Sequence, residues 1–256
     1  MWKCSRCKYT ENFQGDVRVR EALAIAIDRE RLAQDDMGGA TEPAKKFLPE
    51  LKTESTKAVV SKTELLEQDA ERARELLAEA GYPDGRGFPV VRLLINRNEQ
   101  QRLVANSIAA MWRSILNIET EISIKGWDEY EATIAAGDYD VVRRGMVMQT
   151  TDELTNIRAI FQQDRQPTLS PANAQAANAA TAVARETSEP AKLAPLESEA
   201  EALKELRAIP LYFASSHALI KPYVTGFDSN LLDVPSLRHV RIQTNWTAPA
   251  NSNSGR

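Results

Sequence analysis

Two arginines and a glycine, Arg143-Arg144-Gly145, close the stretch from Trp127 to Gly145, WDEYEATIAAGDYDVVRRG. A guanidinium is a planar fork that can grip both oxygens of a carboxylate. An arginine at the C-terminal end of a strand is well placed to do so. Alternation within a strand sends Arg143 and Arg144 to opposite faces. Either one meets a ligand while the other is solvated, or both are surface groups; the residues alone leave the two readings open. Acid–base chemistry would need carboxylates held in a pocket. The pairs Asp35/Asp36, Asp138/Asp140 and Asp152/Glu153 read instead as solvated turn and helix-start residues, and Asp152-Glu153 suits the positive end of a helix. His217 and His239 have no nucleophile at a suggestive spacing. There is no G-x-S-x-G, no H-E-x-x-H and no phosphate-binding glycine loop. On these residues an enzyme is the less expected class, with no catalytic residue and no cofactor.

Cys4 and Cys7 form a Cys-x-x-Cys pair, and the chain has only those 2 cysteines. A structural zinc takes four ligands. No metal site is expected, and Cys4 and Cys7 are the only candidates for one. Of the 256 residues, 43% are hydrophobic and 27% charged, with a net charge of −4. That is ordinary globular usage, with room for one large domain or two modest ones. No basic stripe is visible, so nucleic acid is not an expected partner. No apolar run approaches the about 18 to 20 residues that span a bilayer. The opening MWKCSRCKYTENF lacks the apolar core of a secretory signal peptide.

The elements that must position these residues are legible from periodicity. From Asp16, Val19, Ala22, Leu23, Ala26 and Ile27 form one buried helical stripe, with Arg18, Glu21, Asp28, Arg29 and Arg31 on the solvent side. Residues 40–68 read as loop. Asp69 caps a helix striped by Ala73, Leu76, Leu77 and Ala80, with Gly81 as its left-handed terminator and Pro83-Asp84-Gly85 as a turn. The run at 90–95 suits a strand covered on both faces. Asn98 caps a helix striped by Val104, Ile108, Met111, Trp112 and Ile115, and residues 118–124 alternate as a strand. Strand, helix, strand of these lengths is a βαβ unit, extended by the helix from Trp127 and a strand at Tyr139–Val142. Asp152–Gln163 and 196–207 read as helices, 209–213 and 240–242 as strands. The Ala-rich stretch 171–195 predicts a weakly packed or partly disordered helix.

Read together, these segments resemble a known family. Asp16–Arg29 (DVRVREALAIAIDR), residues 69–89 (DAERARELLAEAGYPDGRGFP), LLINRNEQQRLVANSIAAMW, then Trp127, Gly137–Asp140, Ile209–Phe213 and Lys221–Val224 are similar, in order, to oligopeptide- and dipeptide-binding proteins of ABC importers, the extracellular solute-binding protein family 5. The likeness runs from about Asp16 to Trp246 and covers only the C-terminal half of such proteins. It implies an α/β fold: a periplasmic-binding-protein type II-like lobe, with a mostly parallel sheet flanked by helices. It implies these bounds: an irregular N-terminal tail at 1–15, the second lobe at 16–227, a return segment toward an absent first lobe at 228–246, and a disordered tail at 247–256. The implied partners are a peptide or other small solute, ABC permease subunits and a separate first lobe. The implied place is the periplasm or the outer face of the membrane. The implied ligand-binding set is Arg143, Gly145, Met146, Gln149, Gln101 and Asn96. Met146 stands where the family has Trp, and Gln149 where it has an acid for a peptide's amino group. The alternative is a non-transporting remnant or interaction domain that needs a separately encoded first lobe. The missing lobe implies exposed apolar residues around 209–213 and 223–232.

Overall fold

The middle of the chain lays down its elements in the order the periodicity predicts. The computed structural model describes residues 2–4, 15–49, 65–148, 150–162, 198–214, 219–227 and 237–246. It falls into two units, Met1–Ala214 and Ser215–Arg256. The division precedes the boundary at 227/228 expected from sequence. Among the described residues no helix is long and apolar enough to cross a membrane.

In the first unit, β3 (Val91–Asn96), α4 (Glu99–Leu116), β4 (Thr120–Lys125), α5 (Trp127–Ala136) and β5 (Val141–Arg143) form two successive βα crossovers. Asn98 caps α4 by accepting from the Gln101 N–H at 3.1 Å, and Asn117 closes it in the left-handed conformation. α3 (Ala70–Glu79) is capped by Asp69, which accepts from the Arg72 N–H at 2.9 Å. Val104, Ile108, Met111 and Trp112 are buried with Leu93 and Ile95 on one face of the sheet, together with α1 (Val17–Ile25) and α3. Leu94, Val142, Tyr130 and Tyr139 form a smaller core on the other face, under α5. The sheet is therefore covered on both sides, which is why β3 reads as a continuous apolar run.

The strand order is β4-β3-β5-β1-β6, with β6 at Ala208–Ile209. β3 runs parallel to β4 and β5. The inserted strand β1 is Trp2–Cys4, inside the tail expected to be irregular. It runs antiparallel to β5 (Trp2↔Arg143, Cys4↔Val141) and to β6 (Trp2↔Ile209). Three residues are too few to show a period, and two neighbouring strands whose backbone groups need partners make the strand. Nothing in Cys4's own neighbourhood in sequence signals it.

Three further expectations change. Arg29 is not on the solvent side: it is 1% exposed. The first helix ends at Ile25, and Asp28 caps a new short helix α2 (Arg29–Arg31) by accepting from the Arg31 N–H at 2.9 Å. That restart turns Arg29 inward. A π-helical turn, Leu32–Asp36, follows. Within the expected loop, β2 (Thr41–Pro43) pairs antiparallel with β7 (Tyr212–Ala214). Asp140 is 4% exposed rather than solvated, because Arg92 grips it from the neighbouring strand. The Arg92 N–H donates to Oδ2 at 2.8 Å and a guanidinium nitrogen reaches Oδ1 at 3.2 Å. The stretch 171–195 and the tail at 247–256 lie outside the described residues, as do 228–232 of the apolar face expected toward a first lobe. Of that face, Ile209 and Leu211 are buried, not exposed.

Glu199, at the start of α7 (Glu199–Glu205), ties three segments. Its Oε1 accepts from the Leu48 N–H at 2.7 Å, and its own N–H donates to Glu153 of α6 (Glu153–Gln162) at 3.0 Å. Phe47 meets Phe161 edge-on at 5.5 Å beside it. Burial raises the Glu199 carboxyl above the ordinary range, against the lowering by the Leu48 N–H and Lys46. A raised folded-state value means that the folded protein holds this proton more tightly than the unfolded chain. The cost is present in full above the folded value and is relieved as pH falls toward the ordinary one. Glu199→Gln keeps an acceptor for Leu48 and removes the buried charge. Urea denaturation is expected to show the variant more stable at neutral pH, with a flatter stability profile on the acid side.

The second unit is a short antiparallel pair, β8 (Val224–Thr225) with β9 (Arg241–Ile242), and Tyr223 packs on Trp246 at 5.5 Å. Gly226 has φ +73°, and a Cβ there would lie 2.1 Å from the His239 carbonyl oxygen, so the close approach of the two strands requires glycine. Leu219, Leu237 and Ile242 are exposed.

Candidate functional site

The crossover through α4 leads from β3 to β4 on one side, while β5 pairs with β3 on the other. Between β3 and β5 the connections therefore diverge. In open α/β sheets such a switch point leaves a crevice beyond the carboxyl ends of the strands, where ligands bind. Here those ends are Asn96, Lys125 and Arg143, with Asn96 level with Lys125 across the β3–β4 ladder.

Arg143 is the last residue of β5 and is half-buried. Val141 packs in the core under α4 and Val142 in the core under α5. Alternation then puts Arg143 on the α4 side and Arg144 on the α5 side. Arg144 does turn to α5, where its Nη1 lies 3.5 Å from Glu131 Oε1. The Arg143 guanidinium folds back over Gly145, with Nη1 3.5 Å from where a Cβ on that glycine would stand. A Cβ at 145 would meet the fork in ordinary van der Waals contact. Met146 is half-buried against the main core. Asn96 is half-buried at the end of β3. Gln101, in the first turn of α4, is 7% exposed, and its Oε1 has no hydrogen-bond partner. These five expected residues thus share one edge of the sheet. Gln149 lies outside the described residues. Cys4 sits in β1, Cys7 is outside the described residues, and among the described residues no three candidate ligands cluster.

Sequence reading missed Tyr130. Its hydroxyl donates to the Arg143 carbonyl, so α5 holds the end of β5 in place. Burial pushes the phenol up to about 12. The Trp127 ring stacks on it at 5.8 Å and is 63% exposed, facing solvent beside the same edge. The i, i+3 spacing of Trp127 and Tyr130 on a helix was the available signal. Tyr130→Phe is expected to cost about 1 kcal/mol and to speed amide exchange at residues 143–146. In an ultraviolet pH titration the variant should lose a phase of tyrosine ionisation near pH 12 that the wild type shows.

The sequence matches the bacterial extracellular solute-binding proteins, family 5 Middle, over residues 7–167. The chain belongs to this family. Family 5 relatives include the periplasmic murein peptide-binding protein MppA of Escherichia coli, 25% identical over 223 residues, which cover 84% of this chain and 40% of that protein. The probable deoxycholate-binding periplasmic protein YgiS of E. coli is 26% identical over 214 residues, covering 83% and 40%. The solved E. coli murein tripeptide binding protein MppA superposes with a TM-score of 0.65 at 25% identity, over 94% of this chain and 47% of that one. This family 5 chain thus spans about 40% of the length of the curated relatives it matches. Its sheet is a periplasmic-binding-protein type II lobe, and its relatives are solute-binding proteins of transporters, not enzymes.

Proposed function

We propose that this chain is the second lobe of a solute-binding component of an ABC importer. The C-terminal edge of β4, β3 and β5 is one wall of the solute cleft, with Asn96, Gln101, Arg143, Gly145 and Met146 along it; Gln149, which follows in sequence, belongs to the same proposed set. The single observation that carries the reading is this open edge at the switch point, ending in the arginine fork of Arg143. A cleft that encloses a small solute needs walls on both sides. The opposite wall is a first lobe, in the same polypeptide or encoded separately, and the closed pair delivers the solute to a permease. The location follows the relatives, which are periplasmic. The solute is a peptide or a related small molecule; one relative is named for deoxycholate rather than a peptide.

Amide-resolved NMR titration with a mixed tripeptide library tests the reading. Weak, saturable shifts at residues 96–101 and 143–146 are expected, and a first lobe added in trans should tighten them. Shifts confined to other parts of the fold would refute the assignment of the wall.

A further inference from the structure

We infer that this edge selects solutes bearing more than one negative charge, and that Arg97 sets the preference; the inference rests on the reading of the edge as the solute wall. Arg97 follows β3 directly, and its N–H donates to the Lys125 carbonyl at 2.7 Å, which locks the ends of β3 and β4 together. The ladder pairs Leu93 with Val141 and Leu94 with Val142. Continued outward, it sets Arg143 level with Ile95 and places Arg97 one side-chain repeat further out on the same face. With strands roughly 4.8 Å apart and a two-residue step of roughly 7 Å, the two Cα atoms stand about 8 Å apart. Both forks can reach one small molecule from there. Lys125, level with Asn96, stands by the same alternation on the opposite face and does not join this pair.

Neither arginine has an ion-pair partner among the described residues, whereas the neighbouring acids are largely engaged. Glu99 is held by Arg102, and Glu131 by Arg144. Asp128 and Glu129 lie in the first turn of α5, where the helix's positive end offsets them in part. The first turn of the 18-residue α4 begins two residues after Arg97 and adds its own positive end to the edge. A single carboxylate is satisfied by one arginine fork. Two forks on one face at adjacent strand ends, without ion-pair partners among the described residues, match a solute with a second anionic group.

The test is an amide-resolved NMR titration of the full chain at low ionic strength. The probes are tricarballylate (three carboxylates, no amine), propionate as monoanion, and an uncharged dipeptide blocked at both ends. Tricarballylate is expected to shift residues 96–101 and 143–146 and to bind about tenfold more tightly than propionate, with the margin shrinking as salt is added. Arg97→Gln should bring the two acids to comparable affinity, while Arg97→Lys keeps part of the margin. Arg97 is exposed, so both variants should keep the wild-type amide spectrum. Equal affinities in the wild type, or a margin unaffected by Arg97→Gln, overturns the inference. If the blocked dipeptide shifts the same amides as strongly as tricarballylate, the wall stands and the charge preference falls. If no probe or peptide shifts that edge, both fall.

Discussion

Trp112→Ala should lower the stability of the first unit by about 4 kcal/mol, enough to unfold much of the population of a marginally stable domain. Trp112 is completely buried and sits in α4 between the sheet and α1. Its removal does two separable things. It empties the largest fully buried side chain in the core, and it withdraws the indole N–H that donates to the Leu23 carbonyl at 2.9 Å. Trp112→Phe separates them: most of the ring volume stays and the donor is lost, so a cost of about 1–2 kcal/mol is expected. Urea denaturation followed by circular dichroism measures both. Equal costs for the two variants would mean that the hydrogen bond, and not the packing, holds α1 to α4.

Arg29 makes the second large effect, with an unusual sign. Its Nε donates to the Pro210 carbonyl at 2.9 Å and its Nη1 to the Ile27 carbonyl at 3.2 Å, while Nη2 has no partner. Among the described residues no carboxylate pairs with it directly. Burial brings the guanidinium down to about 10, with Glu30 and Glu67 pulling the other way. A depression of that size from the ordinary value amounts to about 3 kcal/mol of destabilisation, in force wherever the group is charged. For a base with a lowered folded-state value, this penalty is constant below about 10 and is relieved only as pH rises from there toward the ordinary value. Arg29→Ala is expected to be destabilising by about 3–4 kcal/mol, because it leaves a cavity and two buried carbonyls without donors. Arg29→Met fills the space, removes the desolvated charge and should recover most of that loss. A methionine variant as unstable as the alanine one would show that the two carbonyl bonds dominate and that the buried charge costs little.

Arg29 also marks where sequence reading reaches its limit. One helical stripe runs plausibly from Val19 to Ile27, and extending its phase puts Arg29 in solvent. The phase resets because Asp28 caps a new helix, a local hydrogen bond that competes with continuing the old one. Where caps and periods agree, as at Asp69 and Asn98, the elements are placed within a residue or two. The βα crossovers and the switch-point edge follow from them, and so does the place of Arg143, because a strand's alternation and a following glycine are local facts. Asp140 and Tyr130 were not legible. Their roles depend on Arg92 and on the Arg143 carbonyl, 48 and 13 residues away, and no local pattern encodes such partners. Trp2–Cys4 is the extreme case: only its neighbours make it a strand.

That strand has a consequence for how the molecule comes into being. β3, α4, β4, α5 and β5 meet mainly near neighbours in the chain, and such contacts form fast. Trp2 instead pairs with Arg143 and Ile209. Residues 2–4 precede both partner strands in the chain, so during synthesis they have no place in the sheet until β5 has left the ribosome, and β6 cannot join until later still. For that interval the nascent chain carries an orphan strand and an open sheet edge, the kind of surface that invites association between chains. By the same reasoning, the last closure of the sheet is the slow one, because it waits on the longest-range pairing.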